Sequence, residues 1–198
     1  MSEQSKQKIL SRIRNHSLPP VGLPEVIHGN WIRYDDPIAQ LGKMVEFVGG
    51  SFECLPSINS VHERLQCFPQ MQQAKRVLSL VDGITGNVDL DSIPDPHELE
   101  DLDFMIFEGD IGVAENGAVW ITDAKIKHRV VLFINQHLII VLRRHRIVHN
   151  MHEAYAQIRV HGPGFGCFVS GPSKTADIEQ SLVIGAHGCR SMQMYVIP

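Results

Sequence analysis

Apolar residues along this chain recur with two periods, one typical of helices and one typical of strands. Between residues 36 and 48 the apolar positions follow a helical spacing, and Asp35 or Asp36 can cap the first turn. A second helix is predicted at 60–68, where Ser60 and Glu63 match a capping box. A third is predicted at 147–160. The polar N-terminal segment indicates an amphipathic helix with its apolar residues on one face, namely Ile9, Leu10 and Ile13.

Short β-branched and apolar runs between these segments predict strands. They fall at residues 51–55, 76–81, 103–107, 118–121, 130–134, 138–142, 167–170 and 191–197. The pair Asn116-Gly117, which lies between two apolar runs, predicts a β-hairpin turn. Strands that alternate with helices indicate an α/β layered domain with a largely parallel sheet, which the hairpin makes mixed. We therefore predict a helix and linker at 1–34 and a single α/β domain at 35–198.

Charge and hydropathy argue against two classes of partner, nucleic acids and membranes. The 198 residues carry a net charge of −4, whereas sequence-independent nucleic-acid binding needs clustered positive charge. We interpret the densest basic stretch, residues 143–146, as a solvated loop or helix start. No apolar run is long enough for a membrane span, and the N-terminus lacks the apolar core of a signal peptide. We therefore expect a cytoplasmic protein without nucleic-acid or membrane partners.

The cysteine and histidine spacings argue against a metal site. The four cysteines form no Cys-x-x-Cys pair, so we expect neither an iron–sulfur cluster nor a structural zinc ion in this chain. His145, His149 and His152 fall on one face of the predicted helix, but no carboxylate completes a known zinc pattern. Cys189 directly follows the His187-Gly188 turn and is the cysteine of most interest for reactivity, although an unreactive thiol is the simpler interpretation.

The segment 171–179, with the sequence GPSKTADIE, carries the strongest chemical signal. A strand that leads into a Gly-Pro turn and then into Ser, Lys and Thr presents amide N–H groups, two hydroxyls and an ammonium group. That combination suits a small anionic ligand, which we expect beyond the carboxyl end of the strand. The Walker pattern is not met, so nucleotide hydrolysis is unsupported. The predicted binding residues are Gly171, Pro172, Ser173, Lys174, Thr175 and Asp177. The alternative is a turn followed by a helix that Thr175 or Asp177 caps.

Three further residues are candidates for chemistry. Glu115 precedes the Asn-Gly turn, where a carboxylate can act as a base, nucleophile or acceptor, or can be an ordinary turn residue. Asp110 follows Gly109 just upstream and is predicted to share the cleft with Glu115. His187 lies between two glycines, and with Gly188 it can bind an anion or transfer a proton; a turn histidine without function is the alternative.

These segments resemble the lactate-utilisation protein C family, whose unit is the LUD domain. The resemblance covers the chain from about residue 75 onward. It rests on residues 112–117 (GVAENG), on the strand at 135–142, on GPSKTADIE at 171–179, and on GAHG at 185–188. The family commonly has Thr at the position of Asn116 and Pro at the position of Cys189.

The resemblance implies a three-layer α/β fold with a mixed, mostly parallel sheet. Related folds occur in ribose-5-phosphate isomerase, glucosamine-phosphate isomerase and CoA transferases. It also implies a subunit that works with two iron–sulfur proteins in oxidising L-lactate to pyruvate, with the clusters in those partners and no cofactor in this chain. A homo-oligomer is compatible with this interpretation.

Three functional hypotheses follow. In the first, the chain is a subunit of a lactate-oxidising assembly, with Ser173, Lys174 and Thr175 holding an anion that Glu115 and His187 flank. In the second, it is a free-standing enzyme for a CoA ester or sugar phosphate that uses Glu115, because one class of CoA transferases carries a nucleophilic Glu in a similar turn. In the third, it is a non-catalytic assembly module.

Overall fold

The computed structural model describes residues 3–16, 21–22, 29–124, 126–158, 164–178 and 181–198. The chain divides into two compact units, Met1–Asn30 and Trp31–Pro198. In the first unit, helix α1 (Glu3–Asn15) buries none of its residues, and the predicted apolar face is exposed. The predicted division of the chain lay after Tyr34. Residues 31–34 belong to the second unit, where the Tyr34 amide donates to His149 Nδ1 at 3.0 Å.

Five parallel strands form the central sheet of the second unit. Their order is β1-β11-β6-β3-β2, and the bounds are β1 (Ser51–Cys54), β2 (Val77–Ser79), β3 (Phe104–Gly109), β6 (His137–Arg143) and β11 (Ser191–Ile197). Every pairing between them is parallel. The predicted α/β class with a mostly parallel sheet is confirmed.

Alternate residues of these strands face opposite sides, as the period of a strand requires. One face packs against α3 (Ile58–Gln66) and the segment around α4 (Pro69–Gln73). The buried residues on that side are Val61, Leu65, Phe104, Ile106, Ile139, Val141, Tyr195 and Ile197. The other face packs against α2 (Pro37–Phe47) and a second sheet. Its buried residues include Leu41, Val45, Met105, Phe107, Val119, Ile121, Leu138, Ile140, Leu142 and Met194.

The second sheet has the order β7-β4-β5-β8. Its strands are β4 (Ile111–Val113), β5 (Ala118–Thr122), β7 (Ile147–Val148) and β8 (Gly166–Val169). The predicted hairpin turn at Asn116-Gly117 is confirmed, because β4 and β5 pair antiparallel across it. The hairpin lies in this second sheet and not in the central one, so the mixed pairing is here. Helix α6 (Met151–Gln157) packs on its outer face, and β9 (Lys174–Ile178) pairs with β10 (Ser181–Ile184) as a separate ribbon.

Side-chain caps set the start of each main helix. Asp36 accepts hydrogen bonds from the amides of Ile38 and Ala39 at the start of α2, as predicted. The predicted capping box at Ser60 is wrong, because Ser57 caps α3 and accepts from the Ser60 amide at 3.2 Å. Asn150 caps α6 in the same way.

Two other predictions are wrong, and the predicted helix at 147–160 is confirmed only over Met151–Gln157. Residues Val131–Ile134 form a short helix, α5, although their β-branched composition predicted a strand. The residues from 147 begin with strand β7, because Ile147 and Val148 pair with β4. The predicted helix after Thr175 or Asp177 is instead strand β9, whose backbone pairs with β10. In each case backbone pairing or packing against another element overrides local propensity.

Candidate functional site

The turns that lead into β6 and β11 lie together at the amino edge of the central sheet. Gln136 directly precedes β6 and Arg190 directly precedes β11, and the Arg190 amide donates to the Gln136 carbonyl at 2.8 Å. A cleft of about 450 Å³ opens here, and His187 and Gly188 line it together with these two residues. The volume is within the range of small-molecule sites. This cleft therefore contains two residues of the predicted site.

Hydrogen bonds join the two glycine-rich segments beside this cleft, which are residues 171–174 (GPSK) and residues 185–188 (GAHG). The Ser173 amide donates to the Cys189 carbonyl at 2.9 Å, and the Gly185 amide donates to the Ser173 carbonyl at 3.0 Å. A Cβ atom on Gly188 would lie 2.9 Å from the Ser173 Cβ, so only glycine allows this approach. The two segments thus form one structural element, as their joint role in the predicted site requires. The Ser173 amide is already satisfied and is not available to an anion.

Two of the residues that line the cleft have donor side chains that are free of partners among the described residues. Within the described residues, the His187 ring and the Arg190 guanidinium take part in no hydrogen bond or ion pair. Glu100 also lines the cleft, and Phe133 and Ile134 supply apolar surface. A guanidinium group binds a carboxylate through two parallel hydrogen bonds, and a neutral imidazole can accept a hydroxyl proton. Arg190, two residues after Gly188, was not predicted as a site residue.

The start of the GPSK segment packs against the carboxyl end of α2. Gly171 has a φ of +73°, and a Cβ there would lie 2.5 Å from the Val48 carbonyl oxygen. Pro172 is buried, and its ring lies close to Gly49. The Lys174 side chain is exposed, and its Cε lies 3.7 Å from the position of a Cβ on Gly49. An ammonium group near the end of a helix is favourable in itself, because the helix dipole is negative there.

Thr175 and Asp177 lie in β9 of the separate ribbon. Thr175 pairs with Val183 in this ribbon. Glu179, the last residue of the sequence segment that contains them, lies outside the described residues. Their proposed role in ligand binding stays a prediction.

Glu115 has a structural partner. Its Oε2 accepts a hydrogen bond from the Met151 amide at 2.9 Å, so the carboxylate stabilises the start of α6. The neighbouring turn is also tied down, because the Ser170 hydroxyl donates to the Asn116 carbonyl at 3.0 Å. The side chain of Glu115 is exposed, and its predicted catalytic role stays a prediction.

Asp110 lies at the opposite edge of the central sheet. It follows the carboxyl end of β3, in a cavity of about 210 Å³ that Thr122 and Arg146 also line. Glu115, which was predicted to share a cleft with Asp110, is not among the residues that line this cavity, and the cleft at the amino edge has a different lining. The basic stretch at 143–146 includes the 3₁₀ turn Arg144–Arg146 after β6. We did not predict from the sequence that Arg146, in this turn, lines a cavity.

The predicted location of the GPSK segment at a carboxyl edge of the parallel sheet is also wrong. Strand β8, which precedes this segment, pairs antiparallel with β5 and belongs to the second sheet. The chain therefore reaches the amino edge of the central sheet, beside the turn into β11. Local sequence indicates that a strand precedes Gly171 but not which sheet the strand joins.

The remaining cysteine and histidine candidates have structural environments. Cys189 is buried, and burial raises the pKa of its thiol, which disfavours the reactive thiolate. His149 Nδ1 accepts a hydrogen bond from the Tyr34 amide, and the His152 ring stacks on Trp31 with 3.5 Å between ring centroids. Among the described residues, no group of three His, Cys, Asp or Glu side chains is arranged to hold a metal ion. None of the described helices has the length and hydropathy needed to cross a bilayer.

Comparison with curated proteins finds similarity to lactate utilization protein C from several bacteria. The Oceanobacillus iheyensis protein is 34% identical over 95 residues, which are 45% of this chain and 41% of that protein. The Shouchella clausii protein is 38% identical over 96 residues, which are 46% of this chain and 42% of that protein. The matches thus span less than half the length of these curated relatives.

A solved structure shows the same fold. The crystal structure of a DUF162 family protein from Deinococcus radiodurans superposes with a TM-score of 0.57 at 16% sequence identity, over 82% of this chain and 96% of that chain. The family model of the LUD domain matches residues 77–197, which contain both glycine-rich segments and the strands of the second sheet. This match covers more than half of the chain, and the chain therefore belongs to the LUD domain family.

Proposed function

We propose that this chain is a component of a lactate-utilisation system that oxidises L-lactate to pyruvate in the cytoplasm. Its family and its relatives named lactate utilization protein C support this role. In this proposal the electrons pass to iron–sulfur clusters in two partner proteins.

The amino-edge cleft is the proposed site for a small carboxylate. The observation that carries this proposal is that Arg190 and His187 line the same cleft beside the joined glycine-rich segments. Arg190 would bind the carboxylate, and His187 would accept the hydroxyl hydrogen bond of a 2-hydroxy acid. Phe133 and Ile134 would contact its apolar end.

This version of the site changes the roles of the predicted residues. Ser173 and Gly188 shape the cleft through backbone contacts, and Lys174 adds positive charge nearby without being the principal ligand. Glu115 stabilises α6, so a nucleophilic role in a CoA-ester reaction has less support than the lactate role.

A reconstituted assembly tests the proposal. The chain is combined with the two proposed iron–sulfur partner proteins, and L-lactate-dependent reduction of an electron acceptor is measured with and without the chain. We expect the activity to require the chain and to fall at least tenfold with Arg190→Met, since a charge-assisted hydrogen bond contributes roughly 1.5–3 kcal/mol. Activity that is equal without the chain would reject the proposed function. Activity that requires the chain but tolerates Arg190→Met would reject only the cleft as the site.

A further inference from the structure

The carboxyl edge of the central sheet holds a second cavity that the lactate role does not use. It has a volume of about 210 Å³ and lies where β2 and β3 end, with Thr122 of β5 on one side. Apolar side chains form its inner surface, namely Leu80, Phe107 and Ile121. Pockets in open α/β sheets commonly lie at this edge, so the location itself favours ligand binding.

The carboxylate of Asp110 is held in place before any ligand arrives. The Asp110 amide donates to the Trp120 carbonyl at 2.9 Å, and the Thr122 hydroxyl donates to Asp110 Oδ2 at 3.1 Å. The preceding residue is fixed as well, because a Cβ on Gly109 would lie 2.3 Å from Val119 Cγ1. Asp110 therefore presents Oδ1 without a hydrogen bond from the described residues. A fixed acceptor of this kind loses little entropy when it binds a donor.

The charges around the cavity leave one anion and one cation unpaired. Glu108 also lines it, but its carboxylate pairs with Arg143 at 3.1 Å. Asp110 and Arg146 take part in no ion pair with each other or with any other described residue. The cavity thus offers a hydrogen-bond acceptor on Asp110 and a guanidinium group on Arg146, together with apolar surface.

We propose that this cavity binds a small aliphatic 2-amino acid as its zwitterion. The ammonium group would donate to Asp110, the carboxylate would bind Arg146, and the side chain would contact Leu80, Phe107 and Ile121. A volume of 210 Å³ holds about seven water molecules, which limits the ligand to a small molecule. A polyanion is disfavoured because two carboxylates line the cavity, and a 2-hydroxy acid would offer Asp110 a neutral hydroxyl in place of an ammonium group, which gives a weaker hydrogen bond.

A matched series of ligands tests the proposed chemistry. Binding of L-alanine, L-valine and L-leucine to the full chain is measured by titration calorimetry, together with 2-hydroxyisovalerate and isovalerate, which replace or remove the amino group of valine. We expect at least one amino acid to bind at least tenfold more tightly than the hydroxy acid, and isovalerate to bind most weakly. If none of the three amino acids binds at millimolar concentration, or if the hydroxy acid binds equally well, the proposal is overturned.

Three variants locate the binding. Asp110→Asn and Arg146→Met should each weaken binding of the best amino acid at least tenfold, because each removes a charge-assisted hydrogen bond. Arg144→Met is the control, since Arg144 lies on the same exposed turn but does not line the cavity. Unliganded melting temperatures within 2 °C of each other, as an approximate limit, would show that the variants fold. Undiminished binding in both Asp110→Asn and Arg146→Met would overturn the assignment to this cavity. This test does not depend on lactate binding at the other edge.

Discussion

The two edges of the central sheet are built by different means. At the amino edge, backbone hydrogen bonds join two glycine-rich segments, and Gly171 and Gly188 permit approaches that a Cβ would block. At the carboxyl edge, side chains that are far apart in sequence line the cavity, among them Asp110, Thr122 and Arg146. Close backbone packing leaves a recognisable glycine signature in the sequence, whereas a site made of scattered side chains leaves none. A glycine pattern in the sequence therefore indicates a constrained backbone, and it does not by itself locate a binding or reactive site.

The largest expected effect is on stability and concerns Gly171 at the amino edge. Gly171→Ala should lower the free energy of unfolding by about 3 kcal/mol, because it combines a positive φ with overlap at the Val48 carbonyl oxygen. Urea denaturation measures the change. Gly164→Ala is the control, since the nearest atom to an added Cβ there lies at 3.7 Å. An equally small change in both variants would contradict the constraint.

A side-chain change at the carboxyl edge should behave differently. Asp110→Asn keeps an acceptor for the Thr122 hydroxyl, and the residue is exposed. Its unfolding free energy should stay within about 0.5 kcal/mol of the wild type. A loss comparable to that of Gly171→Ala would show that the two edges do not differ in the way described.

A smaller effect is expected at Glu115. Glu115→Ala removes the acceptor for the Met151 amide and should cost about 1 kcal/mol of stability, whereas Glu115→Gln retains an oxygen acceptor and should restore most of it. Both variants should keep lactate oxidation in the reconstituted assembly. If Glu115→Gln abolishes oxidation while the protein stays folded, Glu115 takes part in the chemistry.

The smallest expected effect is a pH dependence that originates beside the amino edge. Burial, then the positive charge of Arg190, lowers the pKa of His137 below its ordinary value of 6.5, and Asp103 partly offsets this. The unfolded chain therefore binds the proton more readily, and stability falls as the pH drops below about 6.5. His137→Gln should make this fall shallower in urea titrations at pH 7 and pH 5.

His97 provides a comparison of opposite sign. Its hydrogen bond with Asp95, followed by the charge of that carboxylate, raises the pKa of the exposed ring. Protonation of His97 therefore favours the folded state, and this contribution is lost as the pH rises through the raised pKa. His97→Gln should make the fall in stability on acidification slightly steeper. The same direction of change in both variants would contradict the assignment.

Sequence reasoning was most successful where the signal is local. Helix α2, its Asp36 cap and the Asn116-Gly117 hairpin turn follow from spacing and turn chemistry within a few residues. The sheet that β8 joins could not be predicted, because it depends on pairing such as Val119 with Val169. Because β8 pairs within the second sheet, the GPSK segment lies at the amino edge of the central sheet and not at the predicted carboxyl edge.

The candidate site was predicted in part for the same reason. His187 and Gly188 line the cleft, and Ser173 is hydrogen-bonded beside it, since the two motifs that contain them were recognised together. Arg190 and Arg146 were missed because no local pattern separates an arginine that lines a cavity from a solvated one. Their significance depends on residues that only folding brings near.

The most direct test compares the two edges in one titration. Binding of L-lactate and pyruvate is measured calorimetrically for the wild type, Arg190→Met and Arg146→Met. We expect Arg190→Met to weaken carboxylate binding at least tenfold and Arg146→Met to leave it within about twofold of the wild type. Wild-type affinity in Arg190→Met, or loss of binding only in Arg146→Met, would contradict the assignment of the carboxylate site to the amino edge.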